Sequence, residues 1–340
     1  DVLISCDSLS QVMLNGNQKY AILSNEQQYE PQFAYEGLRD FYVVDLSTGE
    51  RKLFLKAQYG NPQYTIPSPN GKYMAYFREK NWWVYDFEKE SHTNITKNIG
   101  EDFSHNEGQH PQTIDSYPTI GWTQEDREFI LCDAYDYWSI KPDGTAGHRL
   151  THGRESKIKF RFPDAGTSFI TKPNYDGSIH ETIDLKKGLL LEAGNQLGHT
   201  GYYKLTQRQN EKLVFSTTTQ LDQLIFSTDG TAFTYTEQDY DLSPRVVIKT
   251  TENKKPKVLF QSNPQQQDFH WGKSELMQYK NSKGDTLQGV LYYPAQYDKR
   301  KKYPMVVFIY EKLSRHLHNY INPSQFTGDA QFNVTSFITQ

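Results

Sequence analysis

The chain has 340 residues and a formal net charge of -4, with a pI near 6.2. That balance argues against the basic face on which nucleic-acid binding depends, and no run of about 18 apolar residues is present to span a membrane. Aromatic residues reach 14%, with 24 tyrosines and 5 tryptophans; such side chains suit a pleated, half-buried surface, so the composition leans to β structure.

The opening DVLISCDSLS has neither a basic start nor a long apolar stretch, so it does not read as a signal peptide. The first residue is Asp1 rather than Met, which is consistent with a leader removed upstream. On that ground a periplasmic or secreted location is favoured, with the cytoplasm also open. Cys6 and Cys132 are far apart and fit no metal spacing, and they demand no disulfide framework.

From there a short strand, a turn and another short strand recur along the chain. NQKYAILS with RDFYVVDLSTGERKLFL is an early copy. In YTIPSPNGKYMAYFREKNWWVYDFEKESHTNIT, the turn SPNG joins strands, because proline pre-sets one backbone angle and Asn-Gly tolerates positive φ. KYMAYF and NWWVYDF then read as paired strands, with a third in the polar tail. The next copy has turn QEDRE, strands FILCDA and DYWSIK, turn PDGTAG and strand HRLT. RFPDAGTSFITKPN with SIHETIDLKKGLLLE is weaker, and EKLVFSTT marks another. A later copy has turn STDG and strands AFTYTE, RVVIKT and PKVLFQ.

The turn cores fall near Asn70, Glu125, Ala165 and Gly230. That spacing suits four-stranded units repeating every 40–50 residues or so, the pattern of a β-propeller. One blade cannot bury both of its faces alone, so blades stack. About five or six blades are recognisable, with room for seven or eight. A sandwich or barrel also has short strands and frequent turns, but it leaves the recurrence unexplained. The expected fold class is therefore all-β, a propeller over residues 1–267.

At Asp268 the pattern changes. SKGDTLQGVLYYP carries a GD turn followed by a strand, the polar YDKRKK follows, and then PMVVFIY reads as a strand buried on both faces of a parallel sheet. Residues 268–340 are expected to be the junction and the first strands of an α/β-hydrolase domain. PMVVFIY without its sheet is an apolar strand open to pairing with another chain. Residues 304–340 are thus expected either to pack on a missing hydrolase domain or second chain, or to lie irregularly.

Together, the repeats and the segment SKGDTLQGVLYYPAQYDKRKKYPMVVFIY resemble the prolyl oligopeptidase family of serine peptidases, nearest its dipeptidyl-peptidase IV-like and acylaminoacyl-peptidase-like branches. The resemblance implies a propeller covering an α/β-hydrolase that cleaves short peptides with a Ser-His-Asp triad. It implies no cofactor. The nucleophile elbow G-x-S-x-G does not occur in these 340 residues, so the resemblance implies the front part of such an enzyme, inactive by itself. It also implies that Tyr310, which closes the apolar strand, donates its hydroxyl to the oxyanion. Glu311 and Lys312 follow it, where the family usually has a small residue and glycine. The adjacent glutamates that hold a substrate amino terminus in the dipeptidyl-peptidase branch have no counterpart, since the sequence contains no Glu-Glu pair.

Other polar groups are weighed on their own terms. His148 and His152 are four apart, but they flank a turn and a strand, so they share no helical face for zinc. His105, Glu107 and His110 lie in a polar loop suited to contact substrate or a neighbouring domain. Glu30, Glu36 and Arg39 sit in a loop where solvated carboxylates are the ordinary case. His316 and His318 follow the apolar strand, at the rim of the family's active site. The rival reading is a stand-alone TolB-like propeller that binds a protein or glycan, and KKYPMVVFIYEK argues against it. A propeller sugar lyase would need a metal-binding His/Glu cluster on one face, and the sequence offers no convincing one.

Overall fold

A computed structural model describes residues 11–14, 19–33, 37–105, 115–163, 182–206, 209–228, 231–250, 255–309, 313–324 and 333–339. Two compact units divide the chain: residues 1–191 with 203–212, and residues 192–202 with 213–340.

In the first unit the strands form meanders, each strand pairing antiparallel with the next. The first sheet joins β1 (Gln11–Leu14), β2 (Tyr20–Asn25), β3 (Leu38–Asp45) and β4 (Arg51–Tyr59). The second joins β5 (Thr65–Pro67), β6 (Tyr73–Arg78), β7 (Asn81–Asp86) and β8 (Ser91–Asn94). A two-stranded ladder follows, β9 (Ser104–His105) with β10 (Asp115–Ser116). The third four-stranded sheet joins β11 (Gly121–Trp122), β12 (Phe129–Cys132), β13 (Tyr137–Ile140) and β14 (Gly147–Arg149). Chain order continues through β15 (Ile158–Arg161), β16 (Leu189–Asn195), β17 (Thr200–Thr206) and β18 (Gln209–Thr217), the last three of which have residues in both units.

The second sheet shows why these strands read as nearly continuous apolar runs. Successive side chains on a strand point to opposite faces. Met74, Tyr76 and Tyr85 pack with Ile22, Phe41, Phe54 and Leu55 of the first sheet. Ala75, Phe77, Trp82 and Val84, one residue out of phase, pack with Trp122, Phe129, Leu131 and Ile140 of the third. Both faces are buried, as blade-on-blade stacking requires. The fold class is all-β, built from four-stranded propeller-type blades.

Two of the expected turn cores prove to be bonded partners. The turn around Asn70 and the 3-10 turn Gln124–Asp126 meet through the Asp126 carboxylate, 2% exposed. It accepts from the Ser68 hydroxyl at 2.7 Å and from the backbone N–H of Asn70 at 3.0 Å and of Lys72 at 3.4 Å. Asp126→Ala would leave these donors without their acceptor. A loss of about 2–3 kcal/mol in unfolding free energy is expected, read as a lowered urea midpoint with an unchanged slope.

The β6–β7 hairpin closes with Arg78 opposite Asn81, and the two loop residues, Glu79 and Lys80, have φ of 51° and 64°. Positive φ at both central positions is a type I′ pattern, which favours Asn-Gly. Replacing Glu79-Lys80 with Asn-Gly should therefore stabilise the protein by about 1–2 kcal/mol, seen as a higher urea midpoint.

In the second unit, β19 (Gln220–Phe226), β20 (Ala232–Asp239), β21 (Leu242–Thr250) and β22 (Lys257–Gln261) form another four-stranded meander. A hairpin follows, β23 (Lys273–Lys280) and β24 (Thr286–Tyr293), in register from Lys273–Tyr293 to Lys280–Thr286. Its turn is the expected GD turn. The Asn281 side chain accepts from the N–H groups of Lys283 and Asp285, each at 2.9 Å, and Gly284 takes φ of +88°. The short helix Val334–Ile338 is capped by Asn333, and its Thr335 hydroxyl lies 3.2 Å from that of Tyr240.

The expected strand PMVVFIY requires correction. Residues 304–309 form no strand. Met305, Val306, Val307 and Ile309 are 66–85% exposed. An apolar run becomes a strand only when a ladder satisfies its backbone groups, and this one has no ladder. Turn cores Ala165 and Gly230 lie outside the described residues.

Candidate functional site

The two-stranded hairpin leads into the segment that precedes Tyr310. The Tyr293, Tyr297 and Tyr303 rings pack in series at tilted angles, with centroids 4.7 and 5.3 Å apart. The Tyr303 hydroxyl accepts from the Asp298 N–H at 2.9 Å, and Asp298 pairs with Arg300 at 3.0 Å. These contacts fold the polar YDKRKK segment back on itself and deliver the chain to the exposed run ending at Ile309. Tyr310, with Glu311 and Lys312, lies outside the described residues.

Beyond it, His316 and His318 are held apart in different ways. The His316 Nδ1 faces the Asn319 side-chain amide at 2.7 Å. Burial, aided by Arg315, pushes the His316 imidazole below its usual pKa. His318 Nδ1 lies 3.0 Å from the Asp239 carboxylate. Its Nε2 abuts Gly198, where a β-carbon would sit only 2.8 Å away. The Asp–His pair thus locks a loop to strand β20 and leaves no room for a reacting group at Nε2.

The remaining candidates are not brought together. His148 stands exposed on β14, while His152 faces Glu211 at 3.3 Å. His105 packs edge-on against Tyr117 at 4.8 Å; Glu107 and His110 lie outside the described residues. Among the described residues no three metal-capable side chains cluster. Cys132 is buried, which pushes its thiol up to about 12; Cys6 lies outside the described residues.

The loop between β2 and β3 is anchored by a residue the sequence did not single out. Arg39 pairs with Glu26, and Glu30 accepts from the Gln32 N–H at 3.0 Å. Glu30 and Arg39 therefore serve separate contacts, and Glu36 lies outside the described residues. The anchor is Asp40, 3% exposed, which accepts from the Tyr29 hydroxyl at 2.6 Å, from the Ala57 N–H at 2.8 Å, and from Gln28. Burial works to raise its pKa, but these bonds outweigh burial and hold the carboxyl below the usual range. A carboxylate depressed by folding stabilises above its unfolded pKa, near 3.9, and that contribution is lost as pH falls through the folded value. Asp40→Asn should therefore lower stability at pH 7 and flatten the acid limb of a stability–pH curve below about pH 4.

Comparison with known proteins fits this architecture. Residues 15–108 match the family described as the dipeptidyl peptidase IV (DPP IV) N-terminal region. That span holds most of the first two sheets. No curated protein matches the chain. A structure described as a dipeptidyl aminopeptidase IV from Bacteroides ovatus ATCC 8483 is 14% identical, covering 86% of this chain and 46% of that one, with a TM-score of 0.49. Prolyl oligopeptidase B from Galerina marginata, bound to a 25mer macrocyclization substrate, is 10% identical over 84% and 39%, with a TM-score of 0.43. A TolB-type protein from Agrobacterium tumefaciens is 15% identical over 84% and 90%, with a TM-score of 0.31. Likeness at this level assigns neither activity nor substrate. The chain spans less than half the length of the first two structures.

Proposed function

We propose that this chain is the substrate-gating propeller portion of a serine peptidase of the dipeptidyl- or oligopeptidase type. The observation that carries this reading is the match of residues 15–108 to the dipeptidyl peptidase IV N-terminal region. Two features support it. The junction carries the GD hairpin and the Lys-Tyr-Pro step expected at the entrance to a hydrolase domain. The run Met305–Ile309 also exposes side chains that a hydrolase sheet would cover. On this reading residues 1–267 form the propeller and 268–340 open the hydrolase. A periplasmic or extracellular setting agrees with it, and no described helix is long and apolar enough to cross a membrane.

The chemistry follows from what a propeller can and cannot supply. The nucleophile and general base belong to the hydrolase and are absent from this sequence. The propeller's part is to exclude large substrates and to position short ones near the nucleophile. Tyr310 is the group proposed to reach the oxyanion. The test compares residues 1–340 alone with the natural gene product from which they are read, using short peptide anilides and a folded protein as substrates. Cleavage of the short peptides only by the natural product, with the folded protein spared by both, is the expected outcome. Cleavage by residues 1–340 alone, or equal cleavage of the folded protein, would refute the gating role.

A further inference from the structure

The chain on the two sides of Tyr310 is held unequally. Upstream, Met305–Ile309 is exposed and belongs to no ladder. Downstream, the loop that opens with the 3-10 turn Leu313–His316 is fastened at three places within the second unit. The Leu317 carbonyl accepts from the Ser274 hydroxyl of β23 at 2.8 Å. His318 Nδ1 lies 3.0 Å from the Asp239 carboxylate at the end of β20. The Tyr320 N–H donates to the Gln238 side-chain oxygen at 3.2 Å, and the Tyr320 ring stacks on Trp271, 12° from parallel. We propose that Asp239 and His318 are positioning residues for Tyr310, setting this oxyanion donor from its downstream side. The inference rests on the peptidase reading and adds to it the contact that aims the donor.

The His318–Asp239 bond supplies direction as well as attachment. A carboxylate only accepts, so the imidazole proton sits on Nδ1. Nε2 is buried, has no hydrogen-bond partner among the described residues, and abuts Gly198, where a β-carbon would stand 2.8 Å away. Leaving that nitrogen unpaired costs stability, and an apolar side chain would fasten the loop without that cost. What the pair gives in return is a ring fixed at both nitrogens, one by a bond and the other by close packing. Leu317 beside it is buried, so the middle of the loop is immobilised on both its polar and its apolar side. Tyr310 precedes Leu313 by three residues, at most about 11 Å of extended chain. So short a tether keeps Tyr310 from settling independently of the loop, and misplacing a reacting group by about 1 Å is enough to cost roughly 10²-fold in rate.

The test measures kcat and KM of the natural gene product on a short peptide anilide. The variants are His318→Leu, His318→Asn, Asp239→Ala and Tyr310→Phe, and His318→Leu combined with Tyr310→Phe. His318→Leu and Asp239→Ala should each lower kcat about 10- to 100-fold, with KM within about 2-fold. His318→Asn, whose amide nitrogen replaces the Nδ1 donor, should recover most of that loss. In the Tyr310→Phe background, His318→Leu should cost little more, because residues that act as a unit are not additive. Circular dichroism checks that each variant folds; Asp239→Ala, which leaves the loop's own sequence intact, gives the answer if His318→Leu does not. Unchanged kcat in Asp239→Ala and His318→Leu, an asparagine variant as impaired as the leucine one, or a full further loss in the double variant overturns the positioning role and leaves the peptidase reading standing. Unchanged kcat in Tyr310→Phe overturns the oxyanion role of Tyr310, and this proposal with it.

Discussion

Trp122→Ala is expected to cost about 3–5 kcal/mol of stability, the range for emptying a buried aromatic site. Trp122 is fully buried, and its side chain ties the third sheet to the second. Its ring stacks on Tyr73 at 5.7 Å and packs against Phe129 at 4.9 Å, and its indole N–H donates to the Ile66 carbonyl at 3.0 Å. Alanine would remove the ring, the bond and the filled volume together. Trp122→Phe keeps an aromatic ring and loses the donor, so it should cost clearly less. Urea denaturation followed by circular dichroism gives both values. Equal losses for the two variants would mean that the hydrogen bond, and not the packing, dominates.

The second large effect is catalytic. Tyr310→Phe in the natural gene product should lower kcat about 10²- to 10³-fold, the usual cost of removing one donor to an oxyanion. Only one oxygen atom is lost, so binding of a short peptide should change little and the effect should fall on kcat rather than KM. A variant with unchanged kcat would remove Tyr310 from the mechanism.

The β character of the chain was legible because both faces of a blade are buried. Strands such as YMAYFR and NWWVYD then show apolar residues at consecutive positions, bounded by turn residues. The turn core at Asn70 and the hairpin around Gly284 were legible because proline, asparagine and glycine mark backbone angles locally. What joins the turns at Asn70 and Glu125 was not. Asp126 lies 56 residues from Asn70, and a carboxylate in a turn is most often only solvated. Nor could the Trp271–Tyr320 stack be read, because tertiary packing brings the two rings together and they form no motif. PMVVFIY misled for the same reason in reverse: its composition is that of a buried strand, but a strand exists only where neighbours complete its ladder.

The most direct measurement of the central claim is labelling of the natural gene product with a serine-directed fluorophosphonate, followed by mapping of the modified residue. The expected result is one labelled serine in a G-x-S-x-G frame beyond residue 340, with residues 1–340 unlabelled when expressed alone. A label within residues 1–340, or no label on a natural product that still cleaves peptides, would contradict the account.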